Sequence, residues 1–310
     1  MELADTDMAT QGDPMSPLQW TSKSLENIRA ALEKAGFSAS APVISAILKR
    51  SDCSMQANCK RFEGSTAAER DSQFKYISAY AKSALERHEP LISVDGKKKE
   101  NAGLFKNGGK ECSKAGCPIQ ANAYDFMDKK PGKAAPCGIY EADGGEGALA
   151  DCGADHDAAE FAVYSIEQWR LKMGVQKYPR AHELIIACGG GGNGSRVRLF
   201  KHCLQAFSNK IEFKITVLHF PPGTSKRNAM EHRLFSAISM NWRGRPLTSL
   251  EVIASLIANA ASKSGLAAAA MLDTNAYETK IKISGKDFEK INLTRHAVNP
   301  NLNYTISPSN

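Results

Sequence analysis

From His182 to Glu231 the sequence is HELIIACGGGGNGSRVRLFKHCLQAFSNKIEFKITVLHFPPGTSKRNAME, and this stretch decides the fold. An apolar run ends at Cys188, and a glycine-rich tract follows it over 189–194. A segment with helical character then leads to a second β-rich run at 213–220. This order predicts strand, tight turn, helix and strand, which is typical of an open α/β sheet. Because ligands bind such sheets at the carboxyl ends of strands, Cys188 and the loop before Glu231 are candidate site positions.

The glycine tract allows three interpretations. Gly189, Gly191 and Gly194 fit the G-x-G-x-x-G pattern of a nucleotide-binding oxidoreductase. The strand end and Glu231 fit a metal-dependent nuclease or strand-transfer site equally well. In the third interpretation the glycines only form a tight turn. The oxidoreductase is the weakest hypothesis, because the run at 213–220 does not end in the acid that would bind a ribose hydroxyl.

The composition excludes several classes of protein. The 310 residues include 40 Lys and Arg against 33 Asp and Glu, and the net charge of +7 permits a polyanionic partner. No apolar run is long enough for a membrane span, and the acidic N-terminus is not a signal peptide. Eight cysteines without a secretory signal predict reduced thiols and a cytoplasmic location.

The N-terminal region is predicted to contain a pair of helices. Leu25, Ile28 and Leu32 recur at helical spacing, and Gly36 ends that pattern before a second helix. Two short helices around a glycine turn indicate a helix-turn-helix-like DNA-binding segment over 17–63. Lys49 and Arg50 are candidate phosphate contacts there. The alternative is a plain helical hairpin with a solvated basic face.

Asp95 stands at the end of a short predicted strand that begins at Leu91. Lys97, Lys98 and Lys99 follow it. A carboxylate at a strand end beside three lysines fits a metal ligand near a phosphate path. The alternative is a turn aspartate followed by a solvated basic loop.

The region from 138 to 169 is predicted to be a hairpin followed by a helix. The acidic run Asp155-His156-Asp157 precedes that helix, and Asp157 with Glu160 fits a capping box. A metal role for any of the three acidic-run residues is the alternative.

The predicted order of elements is strand, hairpin, helix, strand, helix, strand, helix. Three strands in a meander followed by two with crossover helices are typical of an α/β, ribonuclease H-like mixed sheet with flanking helices. We therefore predict a disordered lead-in at 1–16, the helix-turn-helix-like segment, a linking helix at 64–90, the ribonuclease H-like domain at 91–265 and a C-terminal extension at 266–310. Within the extension a short strand is expected at 280–283.

Basic residues also cluster around Glu231. Lys226 and Arg227 precede it, and Arg243 and Arg245 flank a turn that contains Trp242 as a candidate exposed aromatic. These four cations are further candidate DNA contacts.

The cysteines suggest a separate hypothesis, in which a zinc ion binds Cys112, Cys117, Cys137 and Cys152, although scattered free thiols fit the spacing better.

Several long runs of the sequence resemble one family, the insertion-sequence DDE transposases with the Rhodopirellula-type transposase domain. The similarity extends over nearly the whole chain. The matching runs are 12–18 (GDPMSPL), 20–21, 56–58, 94–100 (VDGKKKE), 155–163, 219–226 (HFPPGTSK) and 231–247.

The resemblance implies a ribonuclease H-like catalytic domain in which two aspartates and a glutamate hold two divalent ions, Mg²⁺ or Mn²⁺. The ions activate a water and then a DNA 3′ hydroxyl for in-line attack on phosphodiesters. Carboxylate oxygens suit Mg²⁺, and paired ions about 3.5–4 Å apart contact the attacking and leaving oxygens. By the resemblance, the first aspartate is Asp95 and the glutamate is Glu231, with Asp157 as a further candidate ligand. Asn228 and Glu231 also fit a capping box.

Position 188 departs from the family pattern. The second catalytic aspartate of the family stands there, before the glycine tract, and this chain has Cys188. A thiol with an ordinary pKa of about 8.5 is mostly neutral at pH 7, and its soft sulfur suits Mg²⁺ poorly. We therefore predict weakened metal binding and impaired catalysis.

The resemblance also implies an N-terminally truncated copy, because relatives usually begin well before the run at 12–18. The expected partners are DNA, at the element's terminal repeats and at target sites, and further copies of the chain on that DNA. The expected location is the bacterial cytoplasm, at the nucleoid when the protein is bound to DNA. The predicted function is an impaired DNA transposase. The alternatives are a non-catalytic DNA-binding remnant and, more weakly, the nucleotide-binding oxidoreductase.

Overall fold

The computed structural model of the chain describes most of its residues, and every structural statement below concerns these. Within them, no helix combines the length and the apolar character needed to cross a membrane. The chain divides into two compact units, Met1–Arg61 and Phe62–Asn310. The described residues are 11–12, 19–20, 24–50, 67–124, 132–143, 147–153, 158–189, 193–224, 228, 230–260, 267–278 and 280–309.

The first unit contains the predicted pair of helices. Ser24 caps the first helix, since its hydroxyl accepts a 3.2 Å hydrogen bond from the Asn27 N–H. Gly36 follows that helix at a φ of +85°, a conformation that favours glycine. The elements are β1 (Gln11–Gly12), antiparallel to β2 (Gln19–Trp20), then α1 (Leu25–Lys34) and α2 (Ala41–Arg50).

The second unit is a mixed sheet covered by helices on both faces. Its strands are β3 (Leu91–Gly96), β4 (Glu100–Asn101), β5 (Lys133–Glu141), β6 (Gly147–Gly153), β7 (Glu183–Cys188), β8 (Lys214–His219), β9 (Ala267–Asp273), β10 (Leu293–Arg295) and β11 (Asn303–Ile306). Its α-helices are α3 (Ala67–Glu86), α4 (Ala159–Trp169), α5 (Val175–Lys177), α6 (Arg198–Ile211), α7 (Ser236–Asn241), α8 (Leu250–Ala258) and α9 (Gly285–Glu289). Two π-helices, Arg170–Gly174 and Glu231–Phe235, extend α4 and precede α7.

The strand order confirms the predicted ribonuclease H-like sheet. β3, β5 and β6 form an antiparallel meander, while β7 and β8 add in parallel on the other side of β3. Helices α4 and α6 pack on one face, and α3, the π-helix Glu231–Phe235, α7 and α8 pack on the other. The full order is β10-β11-β8-β7-β3-β5-β6-β9, with β4 paired to β5.

The C-terminal segment completes the sheet at both edges. β9 lies parallel to β6, and β11 lies antiparallel to β8 with β10 beyond it. Between these edges Tyr277 packs against Phe161 of α4, with ring centroids 5.7 Å apart. The strand expected at 280–283 is wrong, because those residues lie in an irregular stretch before α9.

Candidate functional site

Three strands bring their carboxyl ends to one edge of the sheet, where the candidate site lies. β3, β7 and β8 run parallel, and the register aligns Val94, Cys188 and His219 in one row across them. Asp95 follows Val94 directly, so it lies at the same edge on the opposite face of β3. The structure thus brings together two predicted site positions, 95 and 188, and adds His219, which the sequence did not suggest.

The carboxylate of Asp95 is held by two hydrogen bonds. Its Oδ1 accepts from the Gly96 N–H at 2.9 Å, and its Oδ2 accepts from the Asn228 side-chain amide at 2.7 Å. Glycines lie on both sides of it. Gly138 is its partner on β5, and a Cβ at Gly189 would lie only 3.3 Å from the Asp95 Oδ2. The two glycines therefore add no side chain of their own beside the Asp95 carboxylate.

Asn228 connects Asp95 to the segment that carries Glu231. Its side chain is buried, and its Oδ1 accepts from the Ser93 hydroxyl at 3.2 Å and the Met230 N–H at 3.1 Å. Its backbone carbonyl accepts from the Glu231 N–H at 3.2 Å. These contacts fix which end of the amide donates. The sequence predicted only a capping role here, because the contact with Asp95 spans 133 positions of the chain.

Glu231 is the first residue of the π-helix Glu231–Phe235 and is partly exposed. This π-helix packs on the sheet through Leu234 and Phe235, which are buried with Tyr140 of β5. A Cβ at Gly138 would come within 2.7 Å of Phe235 and 2.9 Å of Leu234, so the absence of a side chain there permits the close packing. The π-helix that carries Glu231 therefore packs on β5, the strand paired with the Asp95-bearing strand β3.

Cys188 lies in a different environment. It is fully buried in the core covered by α4 and α6, and its Sγ lies 3.2 Å from the His219 Nδ1 and 3.9 Å from the Asn193 carbonyl oxygen. Burial raises the pKa of this thiol well above its usual value, and the nearby Asp95 carboxylate raises it further. The side chain at 188 is consequently a neutral thiol at physiological pH.

The residues present do not fit a divalent-metal site of the expected kind. Among the described residues, no three His, Cys, Asp or Glu side chains are grouped to hold a metal ion. Mg²⁺ requires hard oxygen ligands, which a buried neutral thiol does not provide. The further candidates Asp155, His156 and Asp157 lie outside the described residues, and the N-cap of α4 is Ala158. The metal role of Asp95 and Glu231 stays a prediction.

Gly189 is also relevant to the oxidoreductase hypothesis. In a dinucleotide site the glycine backbone approaches an anionic pyrophosphate. Here the position beside Gly189 is taken by the Asp95 carboxylate, whose negative charge disfavours a phosphate at that point.

Two of the predicted DNA-binding cations have partners within the protein. Lys97 lies 4.6 Å from the centre of the Trp242 ring and 3.5 Å from Glu100. Arg245 donates to both carboxylate oxygens of Glu111. The expectation of an exposed aromatic is wrong, because Trp242 is 4% exposed beneath the Lys97 ammonium.

Other predicted DNA contacts remain accessible. Lys98, Lys99 and Arg243 are exposed on the second unit, and Lys49 and Arg50 are exposed at the end of α2 on the first. Lys226 and Arg227 lie outside the described residues. A groove of about 770 Å³ adjoins the turn at Arg243, and Lys110 is among its lining residues.

The cysteines give no support to a zinc site. Cys112 and Cys117 are exposed on the loop between β4 and β5, whereas Cys137 and Cys152 are buried in the sheet. These four do not converge into a group of ligands. All six described cysteines, including Cys188 and Cys203, are free thiols.

Comparison with solved structures finds transposases at low identity. The Mos1 transposase paired-end complex with left transposon end is 12% identical, with a TM-score of 0.45, and the match covers 85% of this chain and 78% of that one. The mariner Mos1 paired end complex with Mg is 12% identical at a TM-score of 0.44, covering 85% and 77%. The Mos1 mariner paired end complex with Mn is 11% identical at 0.43, covering 82% and 76%.

Comparison with curated proteins gives no match. The family described as the Rhodopirellula transposase DDE domain matches residues 3–308, which is nearly the whole chain. The truncation expected from the sequence stays a prediction. With its ribonuclease H-like sheet and this match from end to end, the chain belongs to the Rhodopirellula transposase DDE domain family.

Proposed function

We propose that this chain is a DNA transposase whose strand-cleavage and strand-transfer chemistry is impaired, and that DNA binding is the activity it retains. One observation carries the proposal. The position where the family resemblance expects the second catalytic aspartate holds Cys188, a buried thiol whose pKa is raised well above its usual value.

The negative charge missing at position 188 matters because the expected reaction depends on divalent ions. Attack on a phosphodiester requires divalent ions that neutralise charge on the phosphate and orient the attacking oxygen. Asp95 and Glu231 supply two carboxylates, and Asn228 orients the first. Without the third negative ligand that the family resemblance expects at position 188, Mg²⁺ or Mn²⁺ affinity falls, because hard cations depend on the number of charged oxygen ligands.

DNA binding does not depend on these carboxylates. The net charge is +7, and the exposed cations Lys98, Lys99 and Arg243 on the second unit suit phosphate contacts. Lys49 and Arg50, at the end of α2 in the first unit, are also exposed and suit phosphate contacts. The proposed partners are the element's terminal repeats and target DNA, with several copies of the chain assembling on them at the bacterial nucleoid.

The test compares three proteins on DNA that carries an element end, with Mg²⁺ or Mn²⁺. These are the unmodified chain, Cys188→Asp, and the uncharged, nearly isosteric control Cys188→Asn. We expect all three to bind the DNA in a gel-shift assay and only Cys188→Asp to cleave it. Equal cleavage by the unmodified chain overturns the proposal and makes Asp155 and Asp157 the next candidate ligands.

A second candidate function is a non-catalytic DNA-binding remnant of a transposase, in which changes beyond position 188 have also disabled cleavage. Binding by all three proteins without cleavage by Cys188→Asp favours this alternative. A nicotinamide-nucleotide titration that shows saturable binding would instead favour the oxidoreductase hypothesis, which the Asp95 carboxylate beside Gly189 argues against.

A further inference from the structure

The groove of about 770 Å³ beside the turn at Arg243 is lined mainly by cations among its charged residues. These cations are Lys110, Arg243 and Arg245, and the single acid among the described lining residues is Glu111. Lys110 and Arg243 are exposed and form no salt bridge within the described part of the chain. The groove therefore presents a surplus of positive charge to the solvent.

The loop and the turn that line the groove are joined through their backbones. The Gly244 N–H donates to the Gly108 carbonyl at 2.9 Å. The Asn107 amide donates to the Trp242 carbonyl at 2.9 Å. Gly244 has a φ of +73°, and a Cβ there would lie 2.9 Å from the Glu111 backbone nitrogen, so a glycine is needed for this approach. These contacts hold the turn against the loop independently of any side-chain charge.

Glu111 and Arg245 form an ion pair at the groove. The Arg245 Nε donates to the two carboxylate oxygens at 2.7 and 2.6 Å, and its Nη2 also donates to one of them. The hydrogen bonds from Arg245 lower the pKa of Glu111, so its carboxylate is ionised at neutral pH. The side chains are 50% exposed for Arg245 and 30% for Glu111. An ion pair as exposed as this one is weak, so another anion can replace the carboxylate.

The contact that Arg245 makes with Glu111 is also the contact by which arginine binds phosphate. A guanidinium presents its N–H donors in a planar fork that matches two oxygens of a carboxylate or of a phosphodiester. DNA carries further phosphates next to the first, and these suit Lys110 and Arg243. The single carboxylate of Glu111 leaves those two cations without an anionic partner.

The groove lies close to the strand end that carries Asp95. Lys97, two residues beyond Asp95, has its ammonium 4.6 Å from the centre of the Trp242 ring. Trp242 directly precedes Arg243 in the turn that lines the groove. A DNA strand that passes the end of β3 can therefore reach the groove.

We propose that this groove binds consecutive phosphates of DNA, and that Glu111 occupies the position of one phosphate on Arg245 until DNA displaces it. Glu111 is then a built-in competitor that weakens DNA binding at this site. The inference rests on the proposed function, in which DNA binding is the retained activity, and it identifies a contact and the residue that regulates it.

The first test measures the affinity for a short fluorescent duplex of arbitrary sequence by anisotropy. Glu111→Gln keeps the size of the side chain and removes its charge, and we expect it to raise the affinity about two- to fivefold. Misfolding cannot produce such a gain. Asp71→Asn is the matched control, because it removes an exposed carboxylate that is ion-paired with Lys75 and changes the net charge equally. Equal gains in both variants would show an effect of net charge alone and overturn the proposal.

The second test asks whether the gain depends on Arg245. We expect Arg245→Gln to reduce the magnitude of the slope of log affinity against log salt concentration by about 1, for one lost phosphate contact. Arg87→Gln removes an arginine that is paired with Glu183, and as the control it should leave the slope unchanged. In the Arg245→Gln background, Glu111→Gln should no longer raise the affinity. A gain that persists there overturns the proposal.

The outcomes separate this inference from the proposed function. If the unmodified chain binds the duplex and Glu111→Gln binds it with the same affinity, only the inference fails. If no variant binds DNA, both fail. Cleavage by the variants at position 188 does not enter either measurement.

Discussion

Asp95 and Asn228 are joined by a 2.7 Å hydrogen bond from the amide Nδ2 to the carboxylate Oδ2. Asn228 → Ala removes this donor and leaves the Ser93 hydroxyl and the Met230 N–H without their acceptor. We expect the free energy of unfolding to fall by about 1–3 kcal/mol, measured by urea denaturation. The control, Asn301→Ala, affects an exposed residue and should change it by less than about 0.5 kcal/mol. If the two variants lose the same free energy of unfolding, the hydrogen bonds of Asn228 do not stabilise the fold as stated.

Asn228→Asp tests the same link through charge. The substitution sets a second carboxylate in hydrogen-bonding distance of Asp95, and two close carboxylates raise the pKa of one of them. The repulsion is absent while one of the two carboxyl groups is protonated, and it destabilises the folded state once both are ionised. Relative to the unmodified chain, this variant should therefore be less stable at pH 7 than at pH 4. A loss that is the same at both pH values would show that the amide acts only by packing.

Gly138 → Ala tests the contact between the sheet and the π-helix that begins at Glu231. The new methyl group would come within 2.7 Å of Phe235 and 2.9 Å of Leu234 and Met230, so the π-helix must shift outward. Overpacking of this kind destabilises by about 1–3 kcal/mol, measurable as a lower midpoint of thermal unfolding. Gly108→Ala is the matched control, because a Cβ there meets nothing within 4 Å. If Gly108→Ala lowers the midpoint of thermal unfolding by the same amount, the close packing at Gly138 is not the cause of the loss.

Local patterns in the sequence were enough to predict the centre of the sheet. β7, α6 and β8 each follow from a clear local pattern, and the position of Asp95 follows from the short run Leu91-Ile92-Ser93-Val94 and the turn after it. The edges were not predictable. β9 begins with four alanines, a residue with weak strand preference, and it forms a strand because β6 provides its hydrogen-bonding partners.

Local sequence patterns also could not predict several contacts of the site. The contacts of Asn228 with Ser93 and Asp95 and of His219 with Tyr304 join residues far apart in the chain. The arginines around Trp242 predict an exposed ring, but the ring is buried beneath the Lys97 ammonium, and the Asn107 amide donates to the Trp242 carbonyl.

Asp151 makes the stability of the fold depend on pH. It is fully buried in β6, and within the described residues its Oδ1 has no hydrogen-bond partner. Burial raises its pKa to about 7, with Asp273 adding to the effect and the Ser165 hydroxyl opposing it. The folded state therefore holds a proton that the unfolded state releases near pH 4. The contribution of Asp151 to stability should be fully present below about pH 4 and be lost as the pH rises through about 7, by up to about 4 kcal/mol.

Asp151→Asn removes that ionisation. We expect the variant to be at least as stable as the unmodified chain at pH 8, and its stability to vary less between pH 5 and 8 in urea denaturation. Asp71→Asn, on an exposed surface of α3, is the control and should leave the pH dependence unchanged. An unchanged slope in Asp151→Asn would mean that other groups determine the pH dependence.

We expect the exposed Lys98 and Lys99, near Asp95, to contribute to the salt dependence of DNA binding. Each phosphate contact releases condensed counterions, so the slope of log affinity against log salt concentration reports the number of contacts. Replacing Lys98 and Lys99 together by alanine should reduce the magnitude of this slope by about 2 on duplex DNA. Lys75→Ala removes an exposed lysine that is ion-paired with Asp71, and it should leave the slope unchanged. A double variant with an unaltered slope would place the DNA path away from the end of β3, and the exposed Arg243 beside the 770 Å³ groove would become the next position to test.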